Sequence, residues 1–457
     1  MQQLQPPAPP LYGTVFGRHA GVPAPKPVFL DVSSMWAVGG DARMTTELRT
    51  RVPLVTWSDA AVERVARAWR EVQFRDTCDR MLYMYAYDWG ITSQMRDYGD
   101  LLIVSALAFN RTLVLVQDAP RPKWCLDDSW LECFFEPLST SNCAKSVKKL
   151  EMVRAVKAWP DVVNGTEDIA LALDAQDSIM QLVRSARFVN LVNDTSYFPT
   201  PLWRNLLDRG EVRVQRSDGI EIRDMHAFCR RHRKQLCHTL ALSALRTMLS
   251  QIVFRPKPDI LAAVDAKVRQ LQLRGQRHCL AVHLRWTDKA SDGGLARLLT
   301  NHTIAVEGMH RALGRVKNRT GLAYRCLLVM SDDDGAAVRL LQTSLGDAYD
   351  IIPLSNVSSL FSSPAEYEAY RRQGHEYVQS ALMVSDALAP SLATSRYYDY
   401  YRSVIADVWT TASATTADYF VGVGTSGVSQ LTAQLMGARR MADGNAFTIW
   451  QEDVARE

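Results

Sequence analysis

No run of about eighteen or more apolar residues occurs in this chain, so no membrane-spanning helix is expected from it. Net charge is also scarce. Lys and Arg total 53 against 49 for Asp and Glu in 457 residues, leaving +4. So small an excess argues against a nucleic-acid footprint and against a membrane-surface protein. The basic run Arg230-Arg231-His232-Arg233-Lys234 has the look of a localisation or RNA patch. Apolar periodicity resumes at Leu236, Leu240, Leu242 and Leu245, which favours a solvated helix face instead. No Cys-x-x-Cys pair is present, which argues against a structural zinc site. Cys229, His232, Cys237 and His238 fit no common zinc spacing. The opening Met1-Gln2-Gln3-Leu4-Gln5 is not a signal peptide, and no internal repeat is found.

What is present suits a globular protein with a substantial core: 47% hydrophobic and 22% charged residues. The length allows two large domains or three average ones. The eight cysteines permit disulfides whose connectivity is not readable. Sequons stand at Asn110, Asn164, Asn193, Asn301, Asn318 and Asn356. Together with the even cysteine count they lean toward the Golgi or another secretory lumen. The expectation is then that an anchor is missing from this chain or that the protein is not secretory. Residues 1–28 are Pro-rich, and residues 1–50 read as a poorly ordered leader.

From about Ala60 the pattern becomes α/β. Met81–Tyr87 reads as a buried strand, Ser93–Phe109 as a helix and Thr112–Val116 as a strand. Residues 150–260 read as mainly helical, with Phe188–Val192 as a short strand. Four further strands are expected at Cys279–Leu284, Leu327–Met330, Tyr349–Pro353 and Tyr419–Val423. Helices are expected at Tyr398–Thr411 and Ser429–Met436. Such alternation predicts a parallel, doubly wound sheet, with ligands beyond the carboxyl ends of its strands. The division expected is residues 51–275 as an N-terminal α/β and helical domain on the acceptor side. Residues 276–457 would form a Rossmann-like nucleotide-sugar domain.

Four clusters fall at predicted strand ends. His283-Leu-Arg285-Trp-Thr-Asp288-Lys289 offers two cations to a departing diphosphate, or a surface salt bridge with Asp288. Ser331-Asp332-Asp333-Asp334 is a helix N-cap, a D-x-D metal site, or a set of acids that holds the nucleotide pocket together without metal. Gly422-Val-Gly-Thr425-Ser426-Gly427 opens a helix and could admit a phosphate, or could be a plain tight turn. Trp89-Gly90-Ile-Thr-Ser-Gln94 could form a second wall, or an ordinary strand-to-helix turn.

Their order resembles the α1,6-fucosyltransferases of the N-glycan core, and more distantly the nodulation and protein O-fucosyltransferases. Val282–Lys289 is similar to that family's signature strand, His-x-Arg-Arg-Thr-Asp-Lys. Gly90–Gln94 through Asn110–Leu113 resembles its Gly-x-x-x-Gln helix and Arg-Thr-Leu strand. Ser129–Pro137 resembles its Trp-Glu-x-x-Phe-x-Pro segment, with Leu131 as an extra residue. Gln251–Pro256 resembles its helix ending in Arg-Pro, and Ser331–Asp333 and Ala417–Ser426 follow at similar spacing.

The resemblance implies a GT-B-like fold of two facing Rossmann-type domains, the C-terminal sheet parallel and doubly wound. It implies GDP-fucose as donor, a glycan or glycoprotein acceptor, inversion at the fucose carbon, and no metal or other cofactor. Carried over by position, Gly90, Arg285, Thr425 and Ser426 would meet the diphosphate. His283 and Asp407 would meet the nucleoside. Asp332 and Asp333 match an acidic pair the family needs for activity. Two departures stand out: the second signature Arg is Trp286, and the family's catalytic Glu is replaced by Gly293. Asp292, aided by Lys289, is then the expected base, with Glu307 next. Also missing are the animal members' SH3-like domain and N-terminal coiled coil. Two other readings stay open: a metal-dependent enzyme using Asp332-Asp333-Asp334, and a degenerate relative that binds nucleotide or glycan without turnover.

Overall fold

The computed structural model describes residues 54–77, 81–86, 91–107, 110–117, 130–140, 178–181, 201–215, 234–273, 279–285, 324–373, 395–413, 417–422 and 426–442. A few single positions between 307 and 317, and 377–378, are also described. The 1–50 leader, the expected strand at Phe188–Val192 and four sequons lie outside them.

The chain enters at β1 (Leu54–Trp57), followed by α1 (Asp59–Gln73). Ser58 starts α1 by accepting from the Ala61 amide at 3.3 Å. Ala61, Val65, Trp69 and Val72 recur at helical spacing and are buried. Next come β2 (Met81–Ala86), α2 (Ile91–Leu101), a π-turn at Leu102–Ala106, and β3 (Thr112–Gln117). Strand β2 lies between β3 and β4 (Ser178–Gln181), all parallel. Then follow α3 (Pro201–Asp208) and β5 (Val212–Gln215), which pairs antiparallel with β1. Glu211 clamps this hairpin-like pair to α1 through Arg64, with Nε at 2.8 Å. The 150–260 region thus contains strands the sequence pattern did not reveal.

Helices α4 (Lys234–Val253) and α5 (Pro258–Leu273) lead to β6 (Cys279–Leu284). Every residue of β6 is buried, which explains its apolar run up to His283: both faces of the sheet are covered. After it come β7 (Cys326–Ser331), α6 (Asp334–Leu345), β8 (Asp350–Pro353), a 3-10 turn at Val357–Leu360 and α7 (Pro364–Gln373). The described chain closes with α8 (Arg396–Ala412), β9 (Ala417–Val421) and α9 (Gly427–Ala442). These four strands form a parallel sheet in the order β8-β7-β6-β9.

Leu280, Val282, Leu327 and Val329 face α6, forming one cluster with Ala337 and Leu341. The opposite face, with Ala281, Leu328 and Met330, joins a larger core that reaches the α1 and α2 side chains. The two parallel sheets are therefore linked by a continuous apolar core. The Trp-Glu and Arg-Pro segments meet inside it. Phe135 bridges Pro256, and the Lys257 amide donates to the Phe134 carbonyl at 2.9 Å. At the foot of the sheet, opposite the strand ends that carry the site, Cys279 and Cys326 form a disulfide. Cys133 is also disulfide-bonded.

Candidate active site

In the order β8-β7-β6-β9 the chain runs outward from β6 to β8 and then returns to the far side of β6. The crevice at such a reversal is where open α/β sheets bind ligands. A cavity of about 700 Å³, counting the part open to solvent, lies there. His283 and Arg285 reach it from β6, Asp332 from β7, Ser355 from β8 and Val428 from the start of α9. Ile91 and Thr92, at the start of α2, close it from the other sheet.

Arg285 and the starts of two helices line the cavity. Arg285 donates from Nη1 to Ser426 Oγ at 3.3 Å. Ser426 is buried, and its carbonyl accepts the Gln430 amide at 3.0 Å, which places it at the threshold of α9. The starts of α9 and α2 both face the cavity, and helix N-termini favour negative charge.

His283 is buried, with Nδ1 2.7 Å from Ser429 Oγ. Gly422 makes this approach possible. A Cβ there would lie 2.6 Å from Phe420 Cε1 and 2.6 Å from Ser429 Oγ. The glycine-rich turn therefore does more than reverse the chain.

The three consecutive aspartates separate into different tasks. Asp333 caps α6, accepting the Ala336 amide at 3.0 Å. It also accepts from the Tyr367 hydroxyl at 2.9 Å and from Arg371 Nε at 2.6 Å. Asp334 accepts from the Ser358 amide and hydroxyl at 3.2 and 3.0 Å. Of the three, Asp332 lines the cavity. A D-x-D metal site would need Asp332 and Asp334 side by side, and Asp334 is turned into the β8–α7 connection. Among the described residues, no group of three or more His, Cys, Asp or Glu is placed to hold a metal ion.

Asp407 reaches the cavity from α8 and is 3% exposed. Burial pushes its carboxyl above the usual carboxylate range, opposed by Lys267 and by a Ser355 hydrogen bond. Tyr400 and Tyr401 line the same wall. Burial, with smaller contributions from Tyr397 and Tyr400, raises the Tyr401 phenol well above its ordinary value against the opposing charge of Arg285.

Of the residues singled out from sequence, His283, Arg285, Asp332 and Asp407 line this one cavity, with Ser426 bonded to Arg285. Asp333 supports the strand end from behind. Gly90, Lys289, Asp292 and Thr425 lie outside the described residues. Glu307 is exposed and is not among the cavity-lining residues. Lys267, Ser355, Ser429, Tyr400 and Tyr401 escaped the sequence reading. Ser429, one helical turn beyond Ser426, carried a usable signal; Lys267 carried none.

No protein-family model matches the chain, and no match to a curated protein was found. Among solved structures, the chain is similar to a mutant Arabidopsis thaliana FUT1 in complex with GDP. That match has 10% identity, 89% of this chain, 85% of that chain and a TM-score of 0.44. A second is POFUT1 in complex with GDP-fucose, at 10% identity, 82% of this chain, 99% of that chain and a TM-score of 0.36. Likenesses this distant do not decide what the cavity holds.

Proposed function

We propose that this chain transfers L-fucose from GDP-fucose to a hydroxyl of a glycan or glycoprotein, with inversion and without a metal, in the manner of an α1,6-fucosyltransferase. The observation that carries this is a single cavity at the strand reversal. Its lining includes both Arg285, fixed on Ser426 before a helix N-terminus, and the buried Asp407. The first suits a diphosphate and the second a purine edge with two donors.

In the proposed reaction the acceptor oxygen attacks the fucose anomeric carbon from the face opposite the diphosphate. The carbon–oxygen bond breaks and its electron pair leaves with GDP. Arg285 and the α9 N-terminus stabilise that growing charge. Asp292, aided by Lys289, takes the acceptor proton. Residues 276–457 hold the donor, residues 51–275 face the acceptor, and the site of action is the Golgi or another secretory lumen. The Cys279–Cys326 disulfide supports an oxidising compartment.

Calorimetry with GDP and UDP, with and without chelator, tests the donor. GDP should bind more tightly, and chelator should change nothing. UDP preference or loss of binding in chelator would overturn the reading. Donor hydrolysis tests turnover; GDP binding without it would mark a relative that binds but does not transfer. Asp292→Asn should lower transfer at least about tenfold with GDP affinity unchanged.

A further inference from the structure

Asp407 does not stand alone. Lys267, on α5, donates from Nζ to its Oδ1 and also to the Leu354 carbonyl at 3.0 Å. The lysine side chain is 26% exposed and the aspartate 5%. Its ammonium joins α5 to α8 and to the residue after β8. A buried carboxylate with no cation would take up a proton. A protonated acid carries a donor and loses acceptor capacity, whereas a carboxylate only accepts. The guanine edge offers N1–H and a 2-amino group, two donors that a carboxylate can meet together.

We propose that Lys267 is a positioning residue: it fixes the charge and orientation of Asp407 and so sets the preference of the cavity for guanine over a base lacking the 2-amino group. This rests on the cavity being a guanine-nucleotide site. The groups around Asp407 are Lys267 from α5, Asp334 at the start of α6 and the Ser355 hydroxyl after β8. Lining the same cavity are His283, Arg285, Asp332, Tyr400 and Tyr401. Lys267 and Ser355 favour the anion, while burial and Asp334 oppose it. The anion is therefore lost as pH falls through the raised pKa, and removing Lys267 moves that loss to higher pH.

The test is calorimetry of GDP and IDP on the full chain at a series of pH values from mildly acidic to mildly alkaline. The GDP:IDP affinity ratio cancels titration of the diphosphate and of His283, which both nucleotides meet alike. Wild type should favour GDP by about tenfold or more, the worth of one charge-assisted hydrogen bond. Lys267→Met should lose most of that preference at neutral pH and regain part of it as pH rises. Lys267→Arg should retain it. A lysine that only braces the fold would weaken both nucleotides equally and leave the ratio alone; that result overturns the proposal. If Lys267→Met does not fold, Lys267→Gln carries the same reading. The wild-type ratio should itself fall on acidification as Asp407 takes up a proton, and Lys267→Met should show that fall at higher pH; the same pH profile in both proteins overturns the proposal. Absence of GDP binding, or of any GDP preference in wild type, would remove the guanine-site reading itself.

Discussion

The two parallel sheets share a plan and differ in what they bring to the cavity. In each, the strand met first along the chain is central and its neighbours lie on both sides: β2 between β3 and β4, β6 between β7 and β9. Each therefore has a reversal at its carboxyl edge. The β6 sheet lines the cavity with His283, Arg285 and Asp332, and α8, which packs against α5 and α9, adds Asp407. Among the described residues, the β2 side contributes Ile91 and Thr92 from the start of α2, both uncharged. The same topology thus brings charged side chains in one case and, among the described residues, uncharged side chains at a helix start in the other. Topology supplies the crevice; the residues just past the strand ends supply the chemistry.

The largest expected effect is on the charged side. Arg285→Ala should lower transfer at least a hundredfold, about 3 kcal/mol of transition-state stabilisation, with the melting temperature nearly unchanged. Near-wild-type turnover would break the contrast between the sheets. Next comes the support behind the charged side. Asp333→Ala removes a helix cap and one of the two carboxylates that Arg371 meets, so urea denaturation should show a loss of about 1–2 kcal/mol. Asp332→Ala, one residue away, should weaken GDP binding while leaving the urea midpoint within error; the reverse assignment would undo the division among the aspartates. Gly422→Ala should cost about 1–3 kcal/mol because its new methyl group meets Phe420 and Ser429. It should also weaken GDP binding by displacing Ser429 from His283. The smallest change is expected from the uncharged side: Thr92→Val should alter GDP affinity less than about threefold, as for a hydroxyl that meets no charge. A tenfold loss would mean that the β2 sheet reads the donor too.

How much of this could be seen in the sequence depended on whether its cause was local. Strands β6 and β7 announced themselves as apolar runs because both their faces are covered. Arg285 and His283 were visible as polar residues breaking such a run. Strands β4 and β5 were not: each has four residues, and β5 exists because β1, more than 150 residues earlier, pairs with it. The helix read through Phe109 ends earlier because the Leu107 amide donates to the Leu102 carbonyl, a π-type closure with no residue signature. The acidic triplet was legible as cap or site; only the positions of Tyr367, Arg371 and Ser358 divide it between the two. Lys267 looked like any helix lysine, since its partner lies 140 residues away.

The Cys279–Cys326 bond has a consequence for the denatured chain. The two cysteines are 47 residues apart, and the ring they close contains Arg285, Lys289 and Asp292. In the chain-entropy picture a ring of that size withholds on the order of 4 kcal/mol of disorder from the unfolded ensemble. An oxidised chain that melts thus keeps Arg285 and Asp292 in one covalent loop, and begins refolding with that closure already made.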